Sequence, residues 1–187
     1  LEFRRVLFRS FFYNGVASGG HLDAALTVKI EAALKKLPVP KMMRWGSGDT
    51  EFVRPVHGLM MLHGSRVVAG RVLGAESSNG TPGHRFLSPG RIVIRRADDY
   101  EKALLDKGRI LARFDKRGEE IAHALARAAG KGAELIAGED LLEEITALVE
   151  MPAILAGEFD PAFLELPSEC LVLSMQQHQK YIPLRDK

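Results

Sequence analysis

Two short apolar runs on either side of Gly64 and Ser65 constrain the fold of this chain most strongly. The runs cover residues 59–62 and 66–73. A glycine in first place of a two-residue loop is typical of a β-hairpin turn. Because a hairpin joins antiparallel strands, the pattern disfavours a sheet built only from parallel βαβ units.

Helical and strand-like segments are interspersed along the rest of the chain. Apolar spacing and helix-start signals predict helices at residues 22–37, 119–129, 140–149 and from about 168. They also predict a short helix that Asp98 caps and Gly108 ends, and a helix start at Asp160. Short apolar runs predict further strands at 91–96, 110–114 and 153–159, and near 181. The composition of residues 77–83 predicts a loop. The whole pattern predicts an α+β fold with a mixed, largely antiparallel sheet covered by helices.

The two ends of the chain suggest a piece of a larger protein. The opening LEFRRVLFRS holds three arginines and lacks the apolar core and cleavage site of a signal peptide. We expect residues 1–10 to be a non-native cloning scar, followed by an N-terminal helical segment over 11–40. An α+β core domain then fills 41–187 and is expected to be truncated at its C-terminus, where the chain stops in a β-like stretch.

Charge is divided unevenly along the sequence. Residues 35–117 hold 17 Lys/Arg and 8 Asp/Glu, whereas residues 118–170 hold 2 and 12. We call these the basic half and the acidic half. A basic half indicates a polyanionic partner, and an acidic half indicates a solvated face or a basic partner. The alternative is that the two halves pair with each other.

Motifs of catalysis and metal binding do not occur in the sequence. It has no P-loop, no dinucleotide-binding glycine motif, no zinc-protease helix and no nucleophile elbow. We therefore assign no catalytic residue and no metal site. The single cysteine, Cys170, cannot form an internal disulfide and is predicted to be buried and inert. No apolar run is long enough to cross a bilayer, so no membrane partner is expected.

Four clusters place Arg, Lys or His beside an aromatic residue or a glycine: KMMRWG (41–46), EFVRPVHG (51–58), GHRF (83–86) and MQQHQKY (175–181). Basic side chains contact phosphates, and a nearby aromatic ring can stack on an exposed base. The predicted polyanion contacts are Lys41, Arg44, Arg54, His57, His84, Arg85, His178 and Lys180. In the alternative interpretation the aromatic residues of these clusters anchor the core, and their basic neighbours simply reach solvent.

Several ordered blocks resemble the beta subunit of bacterial heterotetrameric glycyl-tRNA synthetase. They are LPVPKMMRWG (37–46), EFVRPVHG (51–58), GHRF (83–86), the helix start at Tyr100, LLEEITALVEMP (141–152) and HQKYIP (178–183). The resemblance runs from about residue 12 to 186 and covers a minority of the family's subunit, from its N-terminal half. The chain departs from the family pattern at Gly58 and Ile182, where aromatic residues are expected, and at Leu87, where a histidine is expected.

The resemblance implies a part in the ATP-dependent attachment of glycine to tRNA-Gly in the cytoplasm. In this family the alpha subunit carries the catalytic centre, so ATP and magnesium are expected there and no cofactor is expected in this chain. The implied partners are the alpha subunit and tRNA-Gly. The family's HD-like region and anticodon-binding domain are not recognisable here. The segment is also similar to the B3/B4-type domains of phenylalanyl-tRNA synthetase.

Three hypotheses of different classes follow. The first is a non-catalytic tRNA-handling module. The second is a scaffold whose acidic helix, near 139–150, docks a partner subunit. The third is an editing-like hydrolytic domain, which rests on the B3/B4 similarity alone.

Overall fold

The computed structural model describes residues 15, 19–130 and 132–186. The predicted scar at 1–10 lies outside these residues, as does most of the segment up to residue 18. The α-helices in this part of the chain are α1 (Leu22–Leu34), α2 (Tyr100–Asp106), α3 (Phe114–Ala129), α4 (Glu139–Leu148) and α5 (Ser168–Gln179). Two short 3₁₀ helices, Ala97–Asp99 and Pro161–Glu165, precede α2 and α5.

The strands are short and lie mostly in the first half of the chain. They are β1 (Met43–Arg44), β2 (Glu51–Phe52), β3 (Leu59–Met60), β4 (Leu62–His63), β5 (Arg66–Val67), β6 (Arg71–Val72), β7 (Ala75–Ser78), β8 (Gly80–Pro82), β9 (Arg91–Val93), β10 (Ala133–Leu135) and β11 (Leu184–Asp186).

Antiparallel pairing dominates, which confirms the predicted α+β fold. The pairs β1–β2, β4–β5, β8–β9 and β10–β11 are antiparallel, and β7 pairs antiparallel with β6 but parallel with β3. Within the described residues these strands form several small sheets instead of the single sheet that the sequence predicted. The predicted hairpin is present, because β4 and β5 pair around Gly64, whose φ of 62° suits a tight turn.

Three segments differ from their predicted structure. Residues 77–83, predicted as a loop, contain the end of β7 and all of β8, because the Ser77 amide donates to Gly70 and Thr81 pairs with Ile92. Tertiary pairing thus overrides a loop-like composition. The strands predicted at 110–114 and 153–159 do not form. Helix α3 begins at Phe114 and not at 119, and Leu155 is 93% exposed with no neighbouring strand among the described residues.

The buried apolar residues of the core belong to the strands and loops of the first half of the chain and to helices α2 and α3. They are Met61, Val68, Val72, Ile92, Ile94, Leu104, Ile121 and Leu125. Backbone hydrogen bonds tie the sheets together around this core: Ile94 donates to Asn79, and Ala97 donates to Gly64, both at 2.8 Å. Burial of this apolar surface is the main stabilising term for a domain of this size.

Arg117 joins the start of α3 to its surroundings. Its Nη1 donates to the Leu111 carbonyl at 2.6 Å, and its Nε donates to the Thr146 carbonyl of α4 at 2.8 Å. The guanidinium carbon also lies 5.7 Å from the centre of the Phe114 ring. One half-buried side chain therefore holds α3, α4 and the preceding segment together.

The N-terminus of α3 carries an exposed ion pair between Arg113 and Asp115. The Arg113 guanidinium donates to the Asp115 carboxylate and lowers the pKa of that carboxyl to about 2. The carboxylate also lies in the first turn of the helix, where negative charge is favourable.

Candidate nucleic-acid interface

The β1–β2 hairpin presents three of the predicted basic residues to solvent. Lys41 and Arg54 are exposed and lie just outside the paired segment, at the open end of the hairpin. Arg44 is exposed on β1, and its Nη1 lies 3.4 Å from Asp49 in the same hairpin. Gly46 allows the turn because its φ is 63°. The hairpin therefore places two cations, Lys41 and Arg54, at one exposed end.

His57 lies in a different place, on an open cleft of about 470 Å³ that Arg91 also lines. The Arg91 Nη2 donates to the Ser78 hydroxyl at 3.2 Å. Its guanidinium lies against Gly80, where a Cβ atom would come within 2.1 Å of the Arg91 Nε. Glu76 contributes a negative charge to the same cleft.

The GHRF segment forms a loop that hydrogen bonds hold in one shape. The His84 Nδ1 accepts from the amides of Phe86 at 3.2 Å and Leu87 at 3.1 Å, and the His84 carbonyl accepts from the Ser88 amide. The His84 amide donates to the Gly108 carbonyl at 2.7 Å. The loop is therefore fixed both internally and to the end of α2.

This attachment brings two further cations to the loop. Lys107 and Arg109 flank Gly108, and both are exposed. Arg109 has a φ of 53°, a left-handed backbone conformation that residues other than glycine and asparagine adopt rarely. We call Arg85, Phe86, Lys107 and Arg109 the loop surface.

The sequence prediction found Arg85 but missed the other three members of the loop surface as contact residues. The one signal that could have found Lys107 and Arg109 is the run KGR after a predicted helix, with a cation on each side of the glycine.

The last two predicted residues lie near the end of α5. His178 is exposed in the last turn, and Lys180 follows the helix with a left-handed φ of 56°. The Lys180 Nζ lies 2.9 Å from Glu144 of α4. The eight predicted residues therefore occupy several separate parts of the surface. Lys180 pairs with a residue of the acidic half.

The aromatic residues of the clusters do not all anchor the core. Phe86 is 81% exposed and Tyr181 is 61% exposed, while Trp45 and Phe52 are half-buried. The core-anchor interpretation is therefore wrong for Phe86 and Tyr181. The Arg85 guanidinium carbon lies 5.9 Å from the centre of the Phe86 ring. The ring is nevertheless largely open to solvent.

Ion pairs between the two halves of the chain are few. Among the described residues, the only contact of this kind joins the His84 Nε2 to Glu150 at 4.0 Å, and it is an ion pair only when the histidine is protonated. Arg44, Arg66 and Arg96 pair with acidic residues outside the acidic half. The hypothesis that the halves neutralise each other therefore has little support, and the basic half keeps most of its charge exposed.

Cys170, metal binding and the membrane were the subjects of further expectations. Cys170 is exposed on α5, so the prediction of a buried thiol is wrong. Within the described ranges, no three His, Cys, Asp or Glu residues come close enough to hold a metal ion. None of the helices described is long and apolar enough to span a membrane.

Comparison with known proteins gives a consistent picture. A family model described as the glycyl-tRNA synthetase beta subunit matches residues 3–187, which includes most of the predicted scar. The glycine–tRNA ligase beta subunit of Aromatoleum aromaticum is 48% identical over 178 residues, and that of Neisseria meningitidis serogroup C is 49% identical over 178 residues. The same subunit of Polaromonas naphthalenivorans is 44% identical over 190 residues.

The matches cover the chain and the relatives unequally. Each of these alignments includes 95% of the chain but only 26–27% of the relative. The chain thus spans about a quarter of the length of the curated relatives that it matches. Because the family model matches almost every residue, the chain belongs to the glycyl-tRNA synthetase beta subunit family.

Proposed function

We propose that this chain is a tRNA-handling module of a glycine–tRNA ligase. In this proposal the alpha subunit activates glycine with ATP and magnesium in the cytoplasm, and the module helps to hold tRNA-Gly. The reaction is taken from the name of the relatives, glycine–tRNA ligase beta subunit. The role in holding tRNA is inferred from the exposed positive charge of the basic half. The observation that carries the proposal is the group of exposed cations that have no ion-pair partner among the described residues: Lys41, Arg54, Arg85, Lys107 and Arg109.

Electrostatics explains why these cations suit tRNA. A cation that binds a phosphate releases counterions from the nucleic acid, and this release favours binding at low salt. Phosphate contacts position the nucleic acid without reading its sequence. No group in the described part of the chain is assigned a catalytic role, so the module contributes binding energy and orientation.

The hairpin end provides the first test. Replacing both Lys41 and Arg54 with glutamine is expected to weaken tRNA-Gly binding by the holoenzyme roughly tenfold near 0.15 M salt. The slope of log affinity against log salt should fall by about one for each lost contact. Fluorescence anisotropy across a salt series measures both quantities.

Arg127→Gln is the matched control, because Arg127 is an exposed arginine that pairs with Glu120 within the acidic half. It should leave both affinity and slope unchanged. Equal losses in the control and the double variant would show a general charge effect and contradict a contact at the hairpin.

A second candidate function is the subunit-docking scaffold. Large apolar side chains are exposed over residues 148–166: Leu148, Leu155, Phe159, Phe163, Leu164 and Leu166. An apolar surface of this extent is typical of a protein interface. The acidic charge of α4 gives weaker support for docking than this apolar surface does, because Glu144 is already paired with Lys180. Co-purification with the alpha subunit in the absence of tRNA would support this function.

The editing-like hypothesis has no observation in its favour among the described residues. It stays a prediction, and a deacylation assay on mischarged tRNA tests it.

A further inference from the structure

We infer that Phe86 is a stacking platform for one unpaired base of the bound RNA, with Arg85, Lys107 and Arg109 contacting the phosphates around that base. This inference rests on the proposed tRNA-handling function and names the part of the RNA that the loop surface takes. The ligand class is a single-stranded nucleotide segment, as opposed to a duplex.

The exposure of Phe86 is the first step. Phenylalanine is usually buried, yet this ring is 81% exposed on a loop of the basic half. Only His84 and Arg85 form ring contacts with it in the described structure: the His84 ring centre lies 6.2 Å away, and the Arg85 guanidinium carbon lies 5.9 Å away. A flat base can therefore approach the ring from solvent.

The rigidity of the loop is the second step. The two amides that donate to the His84 Nδ1 belong to Phe86 itself and to Leu87. The Ser88 hydroxyl donates to the Lys107 carbonyl, and the His84 amide donates to the Gly108 carbonyl. A platform that is already ordered loses little conformational entropy when a ligand binds.

The local charge is the third step. Arg85, Lys107 and Arg109 are exposed, and none of them forms an ion pair with another described residue. Glu150 contributes a negative charge beside the loop, 4.0 Å from His84, and Asp106 comes directly before Lys107 in the sequence. Arg85 lies against the exposed ring, and the backbone of Lys107 and Gly108 is bonded to the same loop. An exposed ring with cationic residues on the adjoining backbone suits an RNA strand, in which phosphates alternate with bases.

The same geometry favours RNA over a protein partner. Leu87 is 57% exposed beside the ring and could join an apolar protein contact. However, protein interfaces are depleted of lysine, and Lys107 is part of the loop surface. An exposed ring with an arginine beside it, on a loop joined to a cationic segment, instead resembles the stacking sites of single-strand-binding surfaces.

The test replaces Phe86 in the holoenzyme and measures tRNA-Gly binding. Phe86→Leu keeps the apolar bulk but removes the aromatic face, and it should weaken binding about 5- to 100-fold. Phe86→Trp should restore the wild-type affinity. Leu173→Ala, at an exposed leucine of α5, is the control for the loss of an apolar side chain and should have no effect.

Salt and competition separate stacking from charge. Phe86→Leu should leave the slope of log affinity against log salt unchanged. Arg109→Gly should reduce the magnitude of that slope by about one, and it does not strain the backbone because glycine accepts a positive φ. A 12-nucleotide oligoadenylate should compete with tRNA better than a 12-base-pair RNA duplex for the wild type. Phe86→Leu should abolish that difference.

Each outcome decides a different point. A wild-type holoenzyme that binds tRNA, combined with an unchanged affinity for Phe86→Leu, would overturn the stacking inference and leave the proposed function standing. A Phe86→Leu holoenzyme that loses its alpha subunit but keeps its tRNA affinity would assign the loop to a protein interface and overturn the inference too. A variant in which both the hairpin end and the loop surface are neutralised, but whose tRNA affinity equals that of the wild-type holoenzyme, would overturn both the proposed function and the stacking inference.

Discussion

Replacing Arg117 with methionine is expected to lower the free energy of unfolding by about 2–4 kcal/mol, because three backbone carbonyls lose their donor. Arg117 reaches those of Leu111 and Thr146 at 2.6 and 2.8 Å, and that of Ala112 at 3.4 Å. Methionine fills much of the same space but donates no hydrogen bond. A chain of this length should therefore melt roughly 5–15 °C lower.

Thermal unfolding followed by circular dichroism measures this effect. Arg117→Lys should lie between the wild type and Arg117→Met, because an ammonium group can reach one carbonyl but lacks the planar fork of a guanidinium. Arg127→Met, at an exposed site on the same helix, should change the free energy of unfolding by less than about 0.5 kcal/mol. Equal melting temperatures for Arg117→Met and Arg127→Met would contradict the role given to Arg117.

Replacing Gly108 with alanine is expected to destabilise the chain by about 1–3 kcal/mol and to displace the loop surface as well. A Cβ at this position would lie 2.6 Å from the Leu104 carbonyl oxygen and 3.0 Å from the Ile92 Cδ1. The first of these contacts is with backbone, so a rotamer change cannot relieve it. The Gly108 carbonyl also accepts from His84, so movement here shifts the loop that carries Phe86.

The measurement pairs urea unfolding with tRNA affinity. Gly138→Ala is the matched control, because a Cβ there meets no atom within 4 Å and the φ of −81° suits any residue. It should change neither quantity measurably. Unchanged stability in Gly108→Ala would show that the close approach is not a constraint in solution.

Local patterns predicted the elements whose own sequence determines them. The hairpin around Gly64 and the start of α5 at Ser168 agree with prediction, and helix α4 is shifted by a single residue. In each case an apolar period and a turn or cap residue lie within a few positions of each other. Such signals need no knowledge of the rest of the fold.

Elements that depend on distant partners were predicted poorly. Helix α3 begins five residues earlier than predicted. Gly118 has a low helix propensity and argues against a helix at this point, yet it lies inside the helix with its α-carbon facing Thr146. Strand β8 exists because β9 pairs with it. Neither contact is visible in local composition.

The candidate interface shows the same division. The GHRF motif identified Arg85 and His84 as candidates, but the proximity of Lys107 depends on the hydrogen bonds from His84 to Gly108 and from Ser88 to Lys107. A bond across more than twenty residues of sequence has no local signature. For the same reason, the sequence could not show that Lys180 is paired with Glu144.

Photo-crosslinking from position 86 tests the central claim most directly. Benzoylphenylalanine in place of Phe86 keeps an aromatic ring on the loop surface, and the same substitution at the exposed Phe163 serves as the reference position. Irradiation of the holoenzyme with labelled tRNA-Gly should give a protein–RNA product from position 86 and none from position 163. Crosslinks from position 86 to protein alone, or equal RNA yields from both positions, would contradict a tRNA-contacting role for this surface.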